Sequence, residues 1–312
     1  MQGVGFYEFG DPDVLKVIDL PEVHAGFGQV RIRNHAATVN PTDLMARNGV
    51  RAKQMGLDPP PYVPGMEIAG VVDEVGDGVT TRLNIGDSVM GIVVTKASQG
   101  GYREQIVLDV GSVVRIPEGK SLIEACTLPM NGLTARQVLD KLALSVGQTI
   151  AVTGAAGAFG SYVVQLAKAD GLIVVADALA QDEDLVTSFG ADIVLPRGDT
   201  FADLVRGEFP QGVDGLADGA VLGKKVTHAV RDGGSFSSVR GWQGTGERKI
   251  RFLATSVREY ASEMEKLEKL RKQVEDGILT LRVARTYRSE EAPEAHRTLE
   301  AGGIRGRLIL EF

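Results

Sequence analysis

A thirty-residue segment in the middle of the chain constrains the fold most. Residues 148–177 predict a strand, a glycine-rich turn, a helix and a second strand, in that order. The first strand is the β-branched, apolar run 149–152, which ends just before Gly154. The helix carries apolar residues at helical spacing and stops at Gly171, and the second strand ends on Asp177. This order predicts a βαβ unit, the size of one half of a dinucleotide-binding domain.

The glycine-rich turn has the residue types that a pyrophosphate group requires. Backbone N–H groups and the positive end of a helix dipole bind phosphates, provided that no bulky side chain intervenes. Gly154 permits a tight turn, Gly157 permits close approach to the backbone, and Gly160 permits close packing of the helix. The pattern departs from Gly-x-Gly-x-x-Gly at Ala155, and a βα turn without a ligand is the alternative interpretation. The predicted dinucleotide contacts are Gly154, Ala155, Ala156, Gly157, Ala158, Phe159 and Gly160.

Asp177 is the candidate for recognition of an adenosine ribose. It follows Gly154 at about the spacing, roughly twenty residues, of the acid that hydrogen-bonds this sugar. An acid favours the free 2′-hydroxyl of NAD and repels the 2′-phosphate of NADP. Residues 178–181 contain no cation that would bind a phosphate. This segment therefore favours NAD, and a solvated acid that caps the next helix is the alternative.

The composition excludes several classes of protein. A length of 312 residues is enough for two domains, and a net charge of −7 argues against binding to nucleic acid or to an anionic membrane. No apolar run approaches the roughly 20 residues of a membrane span, and the N-terminus lacks the pattern of a secretory signal. The single cysteine, Cys126, excludes an internal disulfide framework. These features favour a cytoplasmic protein.

The pattern of strands divides the chain into three parts. Residues 1–120 predict short strands separated by glycines and prolines, which is typical of a β-rich domain. From residue 150 to about 256 strands alternate with helices, which is typical of a parallel sheet. Residues 260–274 predict a charged amphipathic helix, and strand character returns at 280–287 and 308–312.

Short motifs outside the glycine-rich turn support a specific resemblance. They are residues 39–43 with Arg47 and Gly49, 64–72, 86–89, 100–104 and 128–135. With the turn, they make the chain resemble the medium-chain dehydrogenase/reductase superfamily. Within it, the chain is most similar to the zinc-independent quinone oxidoreductases, the zeta-crystallin-like enzymes. The match extends from about residue 1 to the C-terminus.

The resemblance implies an α/β fold in which a GroES-like β-barrel catalytic domain contains an inserted Rossmann domain, a doubly wound parallel sheet. The implied boundaries are 1–122 for the catalytic domain, 123–258 for the NAD(P)-binding domain and 259–312 for the return to the catalytic domain. The implied activity is hydride transfer from NAD(P)H to a quinone or to an activated alkene or carbonyl. Relatives pair through an edge strand, so a homodimer joined at 249–256 is expected.

A catalytic zinc ion is not expected. Zinc-containing members of the superfamily have a cysteine in the segment that corresponds to residues 40–43 and a histidine at the position of Met66. Zinc needs three or four Cys, His or carboxylate ligands, whereas the four histidines of this chain are scattered. Without a metal, catalysis must depend on positioning. Quinones and enones suit this chemistry, because their acceptor carbon is already electrophilic and the oxygen needs only hydrogen-bond donors.

Three residues are catalytic candidates: Asn40 and Arg47 by resemblance, and Tyr62 as a replacement for the tyrosine that relatives often have at the position of Met45. Asn40 would contact the nicotinamide or the substrate oxygen. Arg47 would stabilise an oxyanion, although a structural pair with Asp43 is an equal alternative. Tyr62 would donate a hydrogen bond, with an ordinary packed or rim tyrosine as the alternative. Relatives often have a tyrosine at the position of Met45, and this difference puts quinone specificity in question.

Further cofactor contacts are also implied by resemblance. Asn131 and Thr134 would face the nicotinamide. Arg240 and Arg307 would reach phosphates, with a surface arginine as the alternative for each. The branch mostly uses NADPH whereas Asp177 favours NADH, so NADP and NAD both stay open.

Two other functions are compatible with the sequence. One is a nucleotide-binding protein with little catalysis, which crystallin-like relatives have become. The other is an alcohol or aldehyde dehydrogenase, which the missing zinc ligands disfavour. In each case the expected partners are small molecules and a second copy of the chain, not nucleic acid or a membrane.

Overall fold

The computed structural model describes residues 1–52, 59–80, 83–96 and 98–312. The chain forms two units, and one is inserted in the sequence of the other. The first comprises Met1–Met130, Ala261–Glu275 and Leu281–Phe312, and the second comprises Asn131–Tyr260 and Asp276–Thr280. The implied domain boundaries follow residues 122 and 258, whereas the units divide after Met130 and after Tyr260.

Strands and helices are numbered here in chain order. The strands are β1 Gln2–Gly5, β2 Lys16–Asp19, β3 Gln29–Thr38, β4 Glu67–Val75, β5 Ser88–Ile92, β6 Gln105–Asp109, β7 Val113–Arg115, β8 Thr149–Thr153, β9 Ile173–Ala178, β10 Ile193–Pro196, β11 Val213–Asp218, β12 Val230–Ser238, β13 Arg251–Ala254, β14 Val283–Arg288 and β15 Arg307–Glu311. The α-helices of the described residues are α1 Pro41–Arg47, α2 Leu122–Ala125, α3 Pro129–Leu142, α4 Ala158–Ala169, α5 Glu183–Ser188, α6 Phe201–Glu208, α7 Met264–Glu275 and α8 Ala292–Ala301.

A mixed sheet organises the first unit. Its strand order is β14-β15-β3-β4-β5-β7, and β6 pairs with β3 off this path. Strands β14 and β15 are parallel, and the other pairs are antiparallel. Val30 and Ile32 alternate along β3 and are buried in an apolar cluster with Ile68 and Leu310. Strand β15 comes from the C-terminal segment, so the end of the chain completes a sheet that its beginning starts.

A six-stranded sheet organises the second unit. All its strand pairs are parallel, in the order β10-β9-β8-β11-β12-β13. All residues of β8 are buried, as expected where both faces of a parallel sheet are covered. The chain proceeds from β8 to one side through β9 and β10, then returns to its other side with β11. This reversal is the topological switch point of a doubly wound sheet, and it confirms the predicted fold class.

Strand β12 includes a run of charged and glycine residues, 231–234, which are residue types that disfavour a strand. The structure pairs Val213 with Val230 and resumes the ladder at Gly215 and Ser235. Residues 231–234 form an irregularity in the ladder of hydrogen bonds between β11 and β12. The strand tolerates them because they lie outside the regular pairing.

The charged helix α7, which the sequence predicts over residues 260–274, belongs to the first unit and is shorter than predicted. It begins at Met264, and Val257–Tyr260 form a separate 3₁₀ turn. Among the described residues, no helix has the length and apolar character needed to cross a membrane. Strand β13 pairs with β12 alone in its sheet, so the segment expected to carry dimerisation does lie at an edge.

Candidate active site

The start of helix α1 is fixed by a carboxylate. The backbone N–H of Asn40, the N-cap residue, donates to Oδ2 of Asp43 at 2.9 Å, and Pro41 occupies the first turn. Oδ1 of Asp43 accepts the N–H of Gly65 at 2.9 Å. Burial raises the pKa of Asp43 to about 6, although the two N–H donors oppose the shift. Asp43 therefore ties α1 to the segment that leads into β4.

The side chain of Asn40 is fully buried in a network of polar groups. Its Nδ2 donates to Oγ1 of Thr38 at 3.1 Å and to Oε1 of Glu67 at 3.3 Å. Its Oδ1 accepts a hydrogen bond from Nη2 of Arg307 at 2.6 Å. The amide orientation is thus determined by three neighbours within the first unit. The predicted contact of Asn40 with nicotinamide or substrate stays a prediction.

Glu67 and Arg307 form a buried ion pair at the centre of this network. Nη2 of Arg307 lies 2.5 Å from Oε1 of Glu67 and 2.7 Å from Oγ1 of Thr38. The other carboxylate oxygen, Oε2, accepts the N–H of Met130 at 2.7 Å. The three side chains come from the end of β3 and the starts of β4 and β15, which are adjacent strands. Arg307 is only 6% exposed, so its alternative interpretation as a surface arginine is wrong. Its predicted contact with phosphates stays a prediction.

Arg47 has a different partner from the one expected. It is buried, and its Nη2 pairs with Glu300 of helix α8 rather than with Asp43. Asp43 instead accepts the N–H groups at the start of α1 and before β4. The proposed structural pair was therefore wrong, because α1 packs against a helix from the distant C-terminal segment.

A buried histidine lies beside this region and was not predicted. Nε2 of His296 is 3.3 Å from the hydroxyl of Tyr102, which in turn is 3.5 Å from Oδ2 of Asp43. Burial, together with the positive charge of Arg47, lowers the pKa of His296 to about 3. The imidazole is therefore neutral near pH 7. No sequence pattern linked His296 to residues 39–49, because the two segments meet only through packing of α1 and α8.

Tyr62 is a packed tyrosine. It is 8% exposed, and its ring stacks on Phe9 with centroids 5.5 Å apart and an interplanar angle of 16°. A second aromatic ring, that of Phe6, lies 5.4 Å away. This environment fits the alternative interpretation of Tyr62 rather than the role of a hydrogen-bond donor to substrate.

The donor set at the position of the zinc ligands does not fit a zinc ion. The amide of Asn40 is already bonded on both sides, and Sδ of Met66 accepts the hydroxyl of Thr42 at 3.0 Å. The carboxylate of Glu67 is neutralised by Arg307. Among residues 1–52, 59–80, 83–96 and 98–312, no three His, Cys, Asp or Glu side chains form a group that could hold a metal.

The glycine-rich turn in the second unit has the predicted geometry. Gly154 has a φ of +70°, which favours glycine. Gly157 is the N-cap of helix α4. A Cβ on Gly160 would lie 2.2 Å from the carbonyl oxygen of Gly154, so this position accepts only glycine without a backbone shift. The start of α4 therefore presents N–H groups with no side chain beyond a methyl in the turn itself.

Asp177 lies directly behind this turn. Its Oδ1 accepts the N–H of Ala155 at 3.0 Å, and its Oδ2 has no hydrogen-bond partner. The residue is 2% exposed, so the interpretation as a solvated acid is wrong. Burial raises the pKa of Asp177, opposed by the Ala155 N–H and by Arg197.

Arg197 is a cation that the sequence did not associate with Asp177. Its Nε lies 3.9 Å from Oδ2 of Asp177, and its side chain is 45% exposed. It reaches this position because Leu195 of β10 pairs with Asp177 of β9, which brings the residue after β10 to the same edge. The absence of cations from residues 178–181 was therefore an incomplete guide to the charge around the ribose site.

A second acid supports the loop opposite the glycine-rich turn. Oδ1 of Asp218, the last residue of β11, accepts the hydroxyl of Thr153 at 2.7 Å. The same carboxylate accepts the N–H groups of Leu222 and Gly223, and the N–H of Ala220 donates to Thr153. These bonds hold the loop after β11 against Gly154. Asp218 could have been noticed in the sequence, because it follows the short apolar run 215–217 as Asp177 follows the apolar run 173–176.

The remaining cofactor candidates lie in different settings. Asn131 and Thr134 are on helix α3, and each is 8% exposed. Arg240 is exposed in the turn after β12. Their predicted contacts with nicotinamide and phosphate stay predictions.

Comparison with known proteins assigns the family. Residues 26–175 match the model of the alcohol dehydrogenase GroES-like domain, and residues 189–310 match that of zinc-binding dehydrogenases. The 2-methylene-furan-3-one reductase of Solanum lycopersicum is 31% identical over 324 residues, which cover 99% of this chain and 79% of the relative. The quinone oxidoreductase of Rattus norvegicus is 28% identical over 334 residues, which cover 99% of this chain and 97% of the relative.

Solved structures agree with these relatives. The quinone oxidoreductase from Coxiella burnetii matches with a TM-score of 0.88 and 28% identity, over 100% of this chain and 99% of the other. A mycobacterial protein complexed with NADPH matches with a TM-score of 0.84 and 25% identity, over 100% of both chains. The chain therefore belongs to the medium-chain dehydrogenase/reductase superfamily. Its relatives place it in the quinone oxidoreductase branch, as the motifs indicated.

Proposed function

We propose that this protein transfers a hydride from NAD(P)H to a quinone or to the activated double bond of an enone. The names of the tomato and rat relatives support this reaction. The observation that carries the proposal is the glycine-rich turn, where the start of α4 lies beside Asp177, whose Oδ2 accepts no hydrogen bond. A pyrophosphate and an adenosine ribose are the groups that these atoms fit.

The residues of each unit would have a different role in the reaction. Bound NAD(P)H would supply the hydride. The N–H groups of the first turn of α4 would bind the pyrophosphate, and Asp177 would accept a hydrogen bond from the ribose. In the first unit, Thr38, Glu67 and Arg307 would act as positioning residues that fix Asn40 and the start of α1. No metal ligand is needed, because the acceptor carbon of a quinone or enone is already electrophilic.

NADH is the cofactor that we propose as preferred, with NADPH as a weaker substitute. Oδ2 of Asp177 is a free acceptor for a ribose hydroxyl. Arg197 neutralises part of its charge and is exposed enough to meet a 2′-phosphate, so discrimination against NADPH should be modest. The NADPH complex of the mycobacterial relative is consistent with this secondary use.

Calorimetric titration of NADH and NADPH tests the cofactor proposal. Asp177→Ala should weaken NADH binding by roughly tenfold, since a hydrogen bond to a charged group contributes about 1.5–3 kcal/mol. Arg197→Met should weaken NADPH binding and leave NADH binding nearly unchanged. Asp177→Asn is the matched control, because it retains an acceptor for the Ala155 N–H and removes only the charge. Tighter binding of NADPH than of NADH by the unmodified protein would contradict the preference.

Turnover tests the reaction itself. The unmodified protein should oxidise NADH with quinones and enones, and it should be inactive with simple alcohols and aldehydes. Calorimetric binding of the cofactor without turnover of any acceptor would refute the proposal and favour a nucleotide-binding protein with little catalysis.

We further propose a homodimer that pairs through the edge strand β13. An unpaired strand edge exposes a row of N–H and C=O groups that favours pairing with another chain. Phe252→Lys or a proline at this strand would disrupt it, and a monomeric mass of the unmodified protein in light scattering would refute the dimer. The cytoplasmic location stays a prediction from composition.

A further inference from the structure

Arg103, in the first unit, is a buried arginine whose guanidinium has no ion-pair partner. Its residue surface is 5% exposed, and its Nε has no hydrogen-bond acceptor. No carboxylate among the residues that the structure describes lies within ion-pair distance of it. Burial lowers the pKa of Arg103, and no neighbouring negative charge opposes the shift. Proteins rarely bury a charge without a counter-charge. This guanidinium lacks both a counter-charge and an acceptor for its Nε.

Arg103 and the preceding residue, Tyr102, lie in different surroundings. Tyr102 is fully buried and points its hydroxyl toward Asp43. Arg103 lines a pocket to which neither Tyr102 nor Asp43 contributes. The segment is held in place, since the carbonyl oxygen of Arg103 accepts Nδ2 of Asn34 at 2.9 Å. The side chain is therefore presented by rigid backbone.

The pocket that Arg103 lines has a volume of about 430 Å³. Other walls come from the end of β5 and from β6, and polar side chains of Gln99, Ser112 and Ser262 also line it. One acid lines the pocket as well, Asp109, whose Oδ1 accepts Nε2 of Gln29 at 3.0 Å. All these residues belong to the first unit.

We propose that this pocket binds a small oxyanion, a phosphate or a carboxylate group, through the guanidinium of Arg103. The guanidinium offers a planar fork of donors that matches two oxygens of either group. The amide of Gln99 and the hydroxyl of Ser112 are further donors at the same pocket. An oxyanion there would supply the counter-charge and the acceptor that the chain itself does not provide. This site is separate from the glycine-rich turn and goes beyond the proposed hydride transfer.

Anion binding can be measured as stabilisation and as heat. A ligand that binds only the folded state raises the melting temperature with its concentration. We would titrate phosphate and acetate separately, each against chloride at equal ionic strength, and repeat the titrations by calorimetry. At least one of the two oxyanions should bind saturably. The one that binds more tightly shows whether the pocket prefers a phosphate or a carboxylate group.

Three variants assign the binding to this pocket. Arg103→Met should weaken binding by about tenfold or more, since the charged donor is lost. Gln99→Glu should weaken it similarly, because the chain would then supply its own carboxylate at an exposed position. Arg33→Met, which removes an exposed arginine of the same unit, should bind as the unmodified protein does.

Two results would contradict an oxyanion site at Arg103. Absence of saturable binding of both oxyanions would overturn the proposal and indicate a hydrated arginine. Binding that persists unchanged in Arg103→Met would overturn it as well, because the anion would then occupy another site such as the start of α4. If Arg103→Met does not fold, Gln99→Glu decides the question alone.

Discussion

Removal of one partner from the buried pair of Glu67 and Arg307 should destabilise the first unit strongly. Glu67→Gln removes the negative charge and keeps the shape of the side chain. Both carboxylate oxygens are used, one by Arg307 and the other by the N–H of Met130. A glutamine has one acceptor oxygen, so either Arg307 or Met130 must lose its partner in any orientation of the amide.

The size of the expected loss in stability follows from the burial of the pair. The side chains of Glu67 and Arg307 are 0% and 7% exposed, so solvent screens the pair very little. Removing one partner of such a pair costs about 3–5 kcal/mol, because the other charge stays buried without compensation. Glu67→Gln/Arg307→Met should be more stable than Glu67→Gln, since the double variant removes both charges of the pair and leaves neither one uncompensated.

Amide hydrogen exchange is the appropriate assay, because a protein with two units need not unfold in one step. Protection of β3, β4 and β15 should fall in Glu67→Gln, while protection of β8 and β9 should not. Glu290→Gln, at an exposed pair with Arg288, is the control and should change nothing measurable. A loss below about 1 kcal/mol in Glu67→Gln, the value of an exposed pair, would refute the reasoning.

Three further predictions concern the turn, the histidine and the metal. Gly160→Ala should abolish NADH binding in calorimetry, because its Cβ would lie 2.2 Å from the oxygen of Gly154, whereas Gly207→Ala on helix α6 has open space and should bind normally. The pKa of His296 is lowered to about 3 in the folded state, so between about pH 6.5 and 3 the unfolded chain binds a proton that the folded chain does not. Stability should therefore fall as pH falls through that range, and less steeply in His296→Phe during acid titration followed by circular dichroism; an identical slope would contradict this. Turnover should be unchanged after EDTA treatment, and activity lost on chelation and restored by zinc would contradict the assignment of the donor set.

The fold was predictable because its signals are local and repeated. Residues 148–177 predict a whole βαβ unit, and the structure forms β8, α4 and β9 there, with β9 ending one residue later at Ala178. Helix α1 was missed although its start carries Asn40, Pro41 and Asp43, the residues of an N-terminal cap. Its seven residues are too few to show helical periodicity, so only the capping pattern could have identified it.

The contacts of the candidate site were less predictable, because they join distant segments. Glu67 and Arg307 are 240 positions apart, and nothing in the sequence distinguishes a buried arginine from an exposed one. The pair of Asp177 and Arg197 depends on the register between β9 and β10, which the sequence does not specify. The residue types of a local motif could thus be interpreted from the sequence. The partner of each side chain, by contrast, depends on which strands lie side by side in the sheet.

The network around Asn40 already uses the polar groups that a zinc ion would need at this position. A zinc ion would fix the ends of neighbouring segments and balance the charge of Glu67. Here the guanidinium of Arg307 performs both tasks, since it contacts the ends of β3, β4 and β15 and pairs with the carboxylate. Arg307 and a zinc ion would compete for the same carboxylate oxygen. Replacing Asn40 and Met66 with cysteine and histidine would therefore not by itself create a zinc site, because the guanidinium of Arg307 would still pair with the carboxylate of Glu67.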